Sequence, residues 1–555
     1  MGKALPAIEA AMGDAWWNEE PIMVTSFVLE GTNVSWHATS AEVAATVSSS
    51  SPPPAAVASA QVAPVRVFVS PTGSDTAPGT FDQPLRTLPA AARLGAGRTV
   101  WLRGNAGPFR VHNATEALAL TAAHNDTTFT CFDPKCIVSG SAELPALGAW
   151  KKSVDARLPA AAVGHVLELE LREALPQAVS RLGKVSEAGT HATLRLGATP
   201  LWLARWPNLD AVNTLTPQWT RTVMFPKPPA DCGGHHGSEA CVVVGGEVAV
   251  RAQQRWTGAA ARGELTLKGF WRYFWRDDVA PAVTVAPYLV NGSAAVLLSR
   301  RDGKPMGIYG APPNASYFFA LNVLEELDMP GEYYIDREEG KVFLFPPDGS
   351  AADDRPELSL MTSPFVSANG AGSVTINGVS FEGARGDAAT VSGGASVVFS
   401  NASFSHFGGS AVVVSGGSSH AIRRSSMRYL GSQAVSITGG DRPSLTRGDH
   451  VVEDCVITDF GRWLSAYKPA VRVEGVGNTV RRTEMANGWQ QALLFGGNDH
   501  VFENNWIHHV ALEIYDGAAV YAGRDFTMRG NVVRSNLFQA IGRPGGWVGG
   551  CGPQL

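Results

Sequence analysis

The chain has 555 residues, 45% of them hydrophobic and 17% charged, so it can bury a large core. A formal net charge of −5 gives no sign of an electrostatic nucleic-acid surface, and no apolar run reaches membrane-spanning length. Sixty glycines and 35 prolines, spread along the chain, mark a turn-rich β protein rather than a disordered one.

Residues 1–64 read as an N-terminal extension and flexible linker. No basic segment is followed by an apolar one, so no signal peptide is legible, and Ser48–Pro54 (SSSSPPP) precedes an alanine-rich stretch. Six glycosylation sequons, at Asn33, Asn113, Asn125, Asn291, Asn314 and Asn401, exceed the roughly two or three that composition would supply. Close cysteine pairs, Cys131/Cys136 and Cys232/Cys241, suit local disulfides. The expectation is an extracellular or secretory-pathway protein whose start is truncated or mis-assigned. His235 and His236 lie inside the second cysteine loop, but zinc-finger spacing is not met, so no metal and no cofactor is expected.

Residues 65–139 read as an N-terminal cap and first coils. Val65–Ser70 is a strand, Asp75–Thr80 is turn chemistry, Leu85–Leu94 has helical spacing despite Pro89, and Thr99–Arg103 is again a strand. Residues 140–358 lack any repeat and are rich in tryptophan, including Trp202, Trp206, Trp219, Trp256, Trp271 and Trp275. A hairpin, Tyr333–Asp336 with Lys341–Phe345, places Gly340 at a left-handed turn position. This stretch reads as an inserted antiparallel β domain. Its aromatics are mainly core, with a minority available as a sugar-stacking wall.

From 359 to 542 the chain repeats. Units beginning at Ser373 end in Gly-Gly pairs closing at Gly393, Gly416 and Gly439 or one residue beyond, a period of about 23 residues, each with three short strands rich in Val, Ile and Phe. Three short strands per turn, each bonded to its copy in the next coil, satisfy the interior backbone. Val374, Val397 and Val412 are expected inside, Cys131 and Cys136 bonded, and Cys455 buried and unpaired. The fold class is all-β: a right-handed parallel β-helix (solenoid) with an N-terminal cap and an inserted antiparallel β domain. The last residues, 543–555, fit neither a coil nor a polar cap, and further coils are expected beyond them.

The segments FVSPTGSDTAPGTFDQPLRTL (68–88), ARWPN (204–208), GFWRYFWRDD (269–278), GNDHVFENNWIHHV (497–510) and DGAAVYAGRDFTMRGNVVRSN (516–536) occur together in this order. They resemble the right-handed β-helix proteins grouped with glycoside hydrolase family 141. The resemblance implies fucosidase- or xylanase-type activity on cell-wall polysaccharide. It departs locally, where LEIYDGAAVYAGRD replaces the family's more usual pattern.

Aligning Gly497-Asn498-Asp499 over Gly523-Arg524-Asp525, an offset of 26, makes Asp499 and Asp525 ladder neighbours about 5 Å apart. Retaining glycosidases hold their carboxylates roughly 5–5.5 Å apart, and like charges so close raise one pKa, as a general acid requires. The same offset sets Asp516 opposite Gln490 and Glu513 opposite Asn487. The candidate catalytic residues are Asp499, Asp516 and Asp525, and the candidate substrate-binding residues are Glu513, His500, His509, Arg524 and Tyr521. His508 and His509 alternate in a strand, so one of them is expected to face inward. The bland reading is that an Asp after Gly at a coil corner merely caps turn amides.

The expected partner is a polysaccharide or oligosaccharide, with no nucleic acid and no membrane span, and the chain is expected to be a monomer. A polysaccharide lyase is the enzymatic alternative, with Arg524 or Arg529 as base. A non-catalytic carbohydrate-binding solenoid or inactive fragment is the other.

Overall fold

The computed structural model describes residues 22–28, 65–185, 191–209, 220–221, 240–271, 275–287, 293–298, 317–463, 465–513 and 517–542. Parallel strands stack coil on coil along one axis. One sheet joins Leu118–Leu120, Val366–Asn369, Ala389–Ser392, Val412–Ser415, Val435–Asp441, Val471–Val476, Leu493–Asn498 and Val520–Tyr521. We call it the first sheet. A second face stacks ten strands, from Val65–Val69 to Val532–Ile541, roughly 43 Å by strand spacing. Its inward residues form a continuous buried column, from Val67 through Val100, Phe129, Ile376, Phe399, Ile422, Val452, Val480 and Phe502 to Val533. One coil cannot bury these side chains alone, which makes the stack cooperative. Val374, Val397 and Val412 are buried in it, as expected.

Corners are set by single residues in the left-handed region. Ser373, Ser396, Ser419, Asp449, Gly477, Asp499 and Gly530, all at positive φ, follow one another at the corner after the first sheet. His406, Tyr429, Asp459, Asn487, His509 and Ala540 do so at the corner before it. Short polar residues and glycine tolerate that conformation best, which explains the Ser, Asn, Asp and Gly at many of these places.

Buried polar ladders run beside two corners. The amides of Val397, His420, His450, Asn478 and His500 donate to His420 Nδ1, His450 Nδ1, Asn478 Oδ1, His500 Nδ1 and Asn531 Oδ1 respectively, at 3.0–3.1 Å. A second ladder links the Cys455, Thr483 and Asn505 amides to Thr483 Oγ1, Asn505 Oδ1 and Asn536 Oδ1. Cys455 itself is buried and free, and Cys131–Cys136 is a disulfide with Cα atoms 5.6 Å apart. The proposed Cys232 partner of the other pair lies outside the described residues.

Thr128–Cys131 pairs directly with Thr375–Asn377, and Cys136–Ser139 with Val379–Glu382. The coils on either side of the intervening segment therefore stack as if it were absent. Among its described residues that segment forms three further sheets, largely antiparallel, including the hairpin Glu332–Asp336 with Lys341–Leu344 and its left-handed Gly340. Trp256 and Trp271 sit in its core. At one end of the solenoid the short helix Leu88–Ala92 buries Leu88, Ala90, Ala91 and Ala92, with Thr87 Oγ1 accepting from the Ala90 amide. At the other end, Ile22–Val28 pairs antiparallel with Val532–Ile541, covering an edge that would otherwise be open. The linker reading of residues 1–64 did not anticipate that strand, although IMVTSFV has strand composition. Among the described residues no helix is long and apolar enough to cross a membrane.

Candidate functional site

The outward residues of the first sheet's last four strands make a floor that side chains from neighbouring loops flank on two sides, and we call this face the groove. Ser436, Arg472, Leu494 and Tyr521 form one row, and Thr438, Glu474 and Gly496 the next. Strand alternation in Val471–Val476 turns Val471 and Val473 inward and leaves Arg472 and Glu474 half-exposed on the floor, 3.3 Å apart. Gly496 leaves room for the Glu474 carboxylate beside it, because a Cβ there would lie 2.4 Å from Glu474 Oε2 and push that side chain aside. The Glu474 carbonyl accepts from Asn478 Nδ2 at 3.3 Å, which ties the floor to the buried ladder.

One wall is polar. Arg442 crosses from the loop after Asp441 and donates to Asn498 Oδ1 at 2.9 Å, Asp525 Oδ2 at 2.7 Å and Thr527 Oγ1 at 2.9 Å. Asp525 Oδ1 accepts from the Thr527 hydroxyl and amide at 2.6 and 2.9 Å. The Thr527 and Arg442 bonds hold its carboxyl down at about 2, so Asp525 is an anion across the working pH range.

The other wall is aromatic. Trp275 of the inserted domain, Tyr467 and Tyr521 follow one another with ring centroids 5.9 and 6.4 Å apart. Gln490 fixes this wall, accepting from the Tyr467 amide at 2.5 Å and donating to the Trp275 carbonyl at 3.3 Å. Beside it the buried pair Lys268–Asp277, 3.3 Å apart, pins the insert to the solenoid, with Asp277 also accepting from the Ser465 and Ala466 amides.

The expected ladder pair does not form. Leu493 pairs with Val520, an offset of 27, and four more residues enter before Val501 pairs with Val532. Asp499 therefore lies beside Gly530, where a Cβ would fall 1.9 Å from its Oδ1, while Asp525 rides out on the longer loop to Arg442. Asp499 occupies a left-handed corner that serine, aspartate or glycine fills in the other coils.

Further residues separate by environment. Asp516 lies outside the described residues. Glu513 is buried with its amide on the Trp489 carbonyl, and His509, not Glu513, stands opposite Asn487. His500 is a buried ladder member whose pKa burial lowers to about 4, and Nε2 bonds the Gly496 carbonyl. Neither His508 nor His509 faces inward. The left-handed kink at His509 breaks the alternation, Ile507 and Val510 point in, and the two Nδ1 atoms meet at 2.8 Å. Arg524 is exposed on the long loop, and Tyr521 is on the groove floor as well as in its aromatic wall.

Sequence reasoning missed Glu474, Arg472, Arg442 and Asn498. The signal for the first two was present in VRVEGV, whose strict alternation exposes a charged pair on an otherwise apolar strand.

Residues 365–542 match the family model described as "Right handed beta helix region". The solenoid is a right-handed β-helix. A solved structure titled "Glycoside hydrolase" is similar over 82% of this chain and 85% of its own, at 15% identity and a TM-score of 0.62. "The complex structure of XylC with xylose" aligns at 10% identity over 80% of this chain and 66% of its own, with a TM-score of 0.41. A GH136 lacto-N-biosidase from Eubacterium ramulus aligns at 10% identity over 86% and 68%, with a TM-score of 0.26. No curated protein matches the chain. At such identities the β-helix likeness establishes the fold and leaves the chemistry to the site.

Proposed function

We propose that this β-helix protein is a glycoside hydrolase that cleaves a fucose- or xylose-containing cell-wall polysaccharide lying along the groove of the first sheet. The observation that carries the reading is that carboxylates two coils apart, Glu474 on the floor and the Arg442-held Asp525, lie beside the aromatic side chains Trp275, Tyr467 and Tyr521. Aromatic rings offer faces to sugars, and glycoside cleavage asks for two carboxyl groups flanking the bond. One must stay ionised to balance charge building at the anomeric carbon or to direct water, a requirement Asp525 meets. The other gives a proton to the leaving oxygen. Glu474 faces the same groove, and Asp516, four residues ahead of Val520 in the sequence, is the alternative donor. Six sequons and the Cys131–Cys136 disulfide support work outside the cell.

The test is release of reducing ends from such polysaccharides by the wild type and by Glu474→Gln, Asp516→Asn, Asp525→Asn and Asp499→Asn. Asp525→Asn and one of the two donor variants should lose about 10²–10⁴-fold in rate with the fold intact by circular dichroism. Asp499→Asn, a corner residue, should keep most of its activity. Full activity in Asp525→Asn, or in both donor variants, sinks the assignment. Ultraviolet-absorbing unsaturated ends in place of simple reducing ends would make the protein a lyase.

A further inference from the structure

Where the inserted domain packs on the corner before the first sheet, it leaves a second concavity of about 130 Å³, partly open to solvent, whose lining shares no residue with the groove floor. Four buried nitrogens of that lining lack a hydrogen-bond partner among the described residues: His191 Nδ1, His406 Nδ1, Trp463 Nε1 and Arg195 Nε. His191 is only 5% exposed. Native interiors pair almost all such atoms, so several orphans in one concavity point to something that binds there.

Charge and shape narrow the choice. The charged lining residues are Arg195, Arg205, Lys268 and Arg462 against a single carboxylate, Glu357. Arg195 is matched by Glu357 at 2.7 Å, and Lys268 by Asp277 at 3.3 Å. The Arg462 guanidinium has no ion pair or side-chain hydrogen bond among the described residues. It lies 4.3 Å from the Trp202 ring and 5.3 Å from the Tyr429 ring. Burial pushes both His191 and His406 down to about 3, so their imidazoles are neutral and offer lone pairs as well as N–H groups to hydroxyls. His406 Nε2 is within 3.0 Å of the Ala198 carbonyl, which makes it the N–H and leaves Nδ1 as an acceptor. Aromatic faces, hydroxyl-binding nitrogens and a guanidinium with no direct ion pair, on which the Asp459 charge acts only at a distance, suit a sugar ring bearing an oxyanion.

We propose that this concavity binds one pyranose unit carrying a carboxylate or a sulfate ester, with the oxyanion on Arg462 and the hydroxyls on His191, His406 and Trp463. The proposal deepens the carbohydrate reading above and rests on it: the glycan held in the groove would carry acidic side groups, and this subsite would select them.

Titration calorimetry on the full chain with D-glucuronic acid, glucose 6-sulfate and neutral glucose tests it. At least one of the two anions should bind at least tenfold more tightly than glucose, and which of them does so identifies the oxyanion. Added salt should weaken that preference, and Arg462→Met should remove it, while Arg462→Lys keeps part of it. His191→Phe, which leaves Arg462 in place, should weaken binding of the anion and serves if Arg462→Met does not fold. Glu474→Gln should bind as the wild type does, so binding without hydrolysis would separate failure of the groove assignment from failure of this one. Glucose binding as tightly as the anions, absence of binding by all three, or undiminished binding in Arg462→Met overturns the proposal.

Discussion

Asn478 joins the fold to the proposed site, and replacing it is the sharpest structural test. Its Oδ1 accepts from the His450 amide at 3.1 Å, and its Nδ2 donates to the Gly439 and Glu474 carbonyls at 3.1 and 3.3 Å. The residue is fully buried, so no solvent replaces these bonds in Asn478→Ala. At about 1 kcal/mol net for each bond, plus the desolvation left on an unpaired buried amide, the loss comes to roughly 3–5 kcal/mol. Asn504→Ser, at an exposed corner of the next coil, should change stability by no more than about 0.5 kcal/mol. Solenoids can unfold in parts, so a single melting midpoint is a blunt readout. Hydrogen exchange at the His450 amide is better, and a loss of about 3 kcal/mol would lower its protection roughly 100-fold. If Asn478→Ala leaves both that protection and the denaturation midpoint at wild-type values, the ladder is not what holds these corners.

Other perturbations have equally definite outcomes. His450 and His500 are buried, and burial lowers both from 6.5 to about 4, so the unfolded chain takes up protons below about 6.5 that the folded chain refuses until about 4. Stability should therefore fall through that window as pH drops, by up to about 1.4 kcal/mol per pH unit for each imidazole, and equal melting temperatures at pH 7 and pH 5 would contradict this. Cys455, buried and raised to about 11, should resist iodoacetamide in the native chain and react only in denaturant, as peptide mapping would show. Gly496→Ala would press on the flexible end of Glu474, so hydrolysis should fall at least tenfold with stability changed by less than about 1 kcal/mol; unchanged activity would remove Glu474 from the mechanism.

Much of the architecture was legible because a β-helix writes its period directly into the chain. Val366, Ala389, Val412 and Val435 pair in succession at 23-residue steps, matching the spacing of the glycine pairs. The insert was legible by contrast, since nothing between the two halves of the stack keeps that period. Ile22–Val28 was not, because an edge-covering strand has no repeat of its own and is defined only by the distant strand it covers.

The site resisted the same reasoning for a geometric cause. Motif alignment assumes that one offset holds all the way round a coil, but only strands are obliged to keep it, because only strands share ladder bonds. From Glu484 to Leu493 the offset to the next coil grows from 22 to 27, and by Val501 it is 31. The additions fall in loops on both sides of the first sheet, where a longer chain can leave the stack without breaking a ladder. The Gly-x-Asp likeness of 497–499 and 523–525 is thus a likeness of two different places, a corner and a loop. The carboxylates assigned to the groove, Glu474 and Asp525, belong to coils two steps apart, and Asp525 is held there by Arg442, which also bonds Asn498, rather than by a repeat. A side chain reaching from the loop after Asp441 to the loop after Tyr521 has no periodic signature. In a solenoid, then, the period locates the floor of a site, and departures from the period locate its walls.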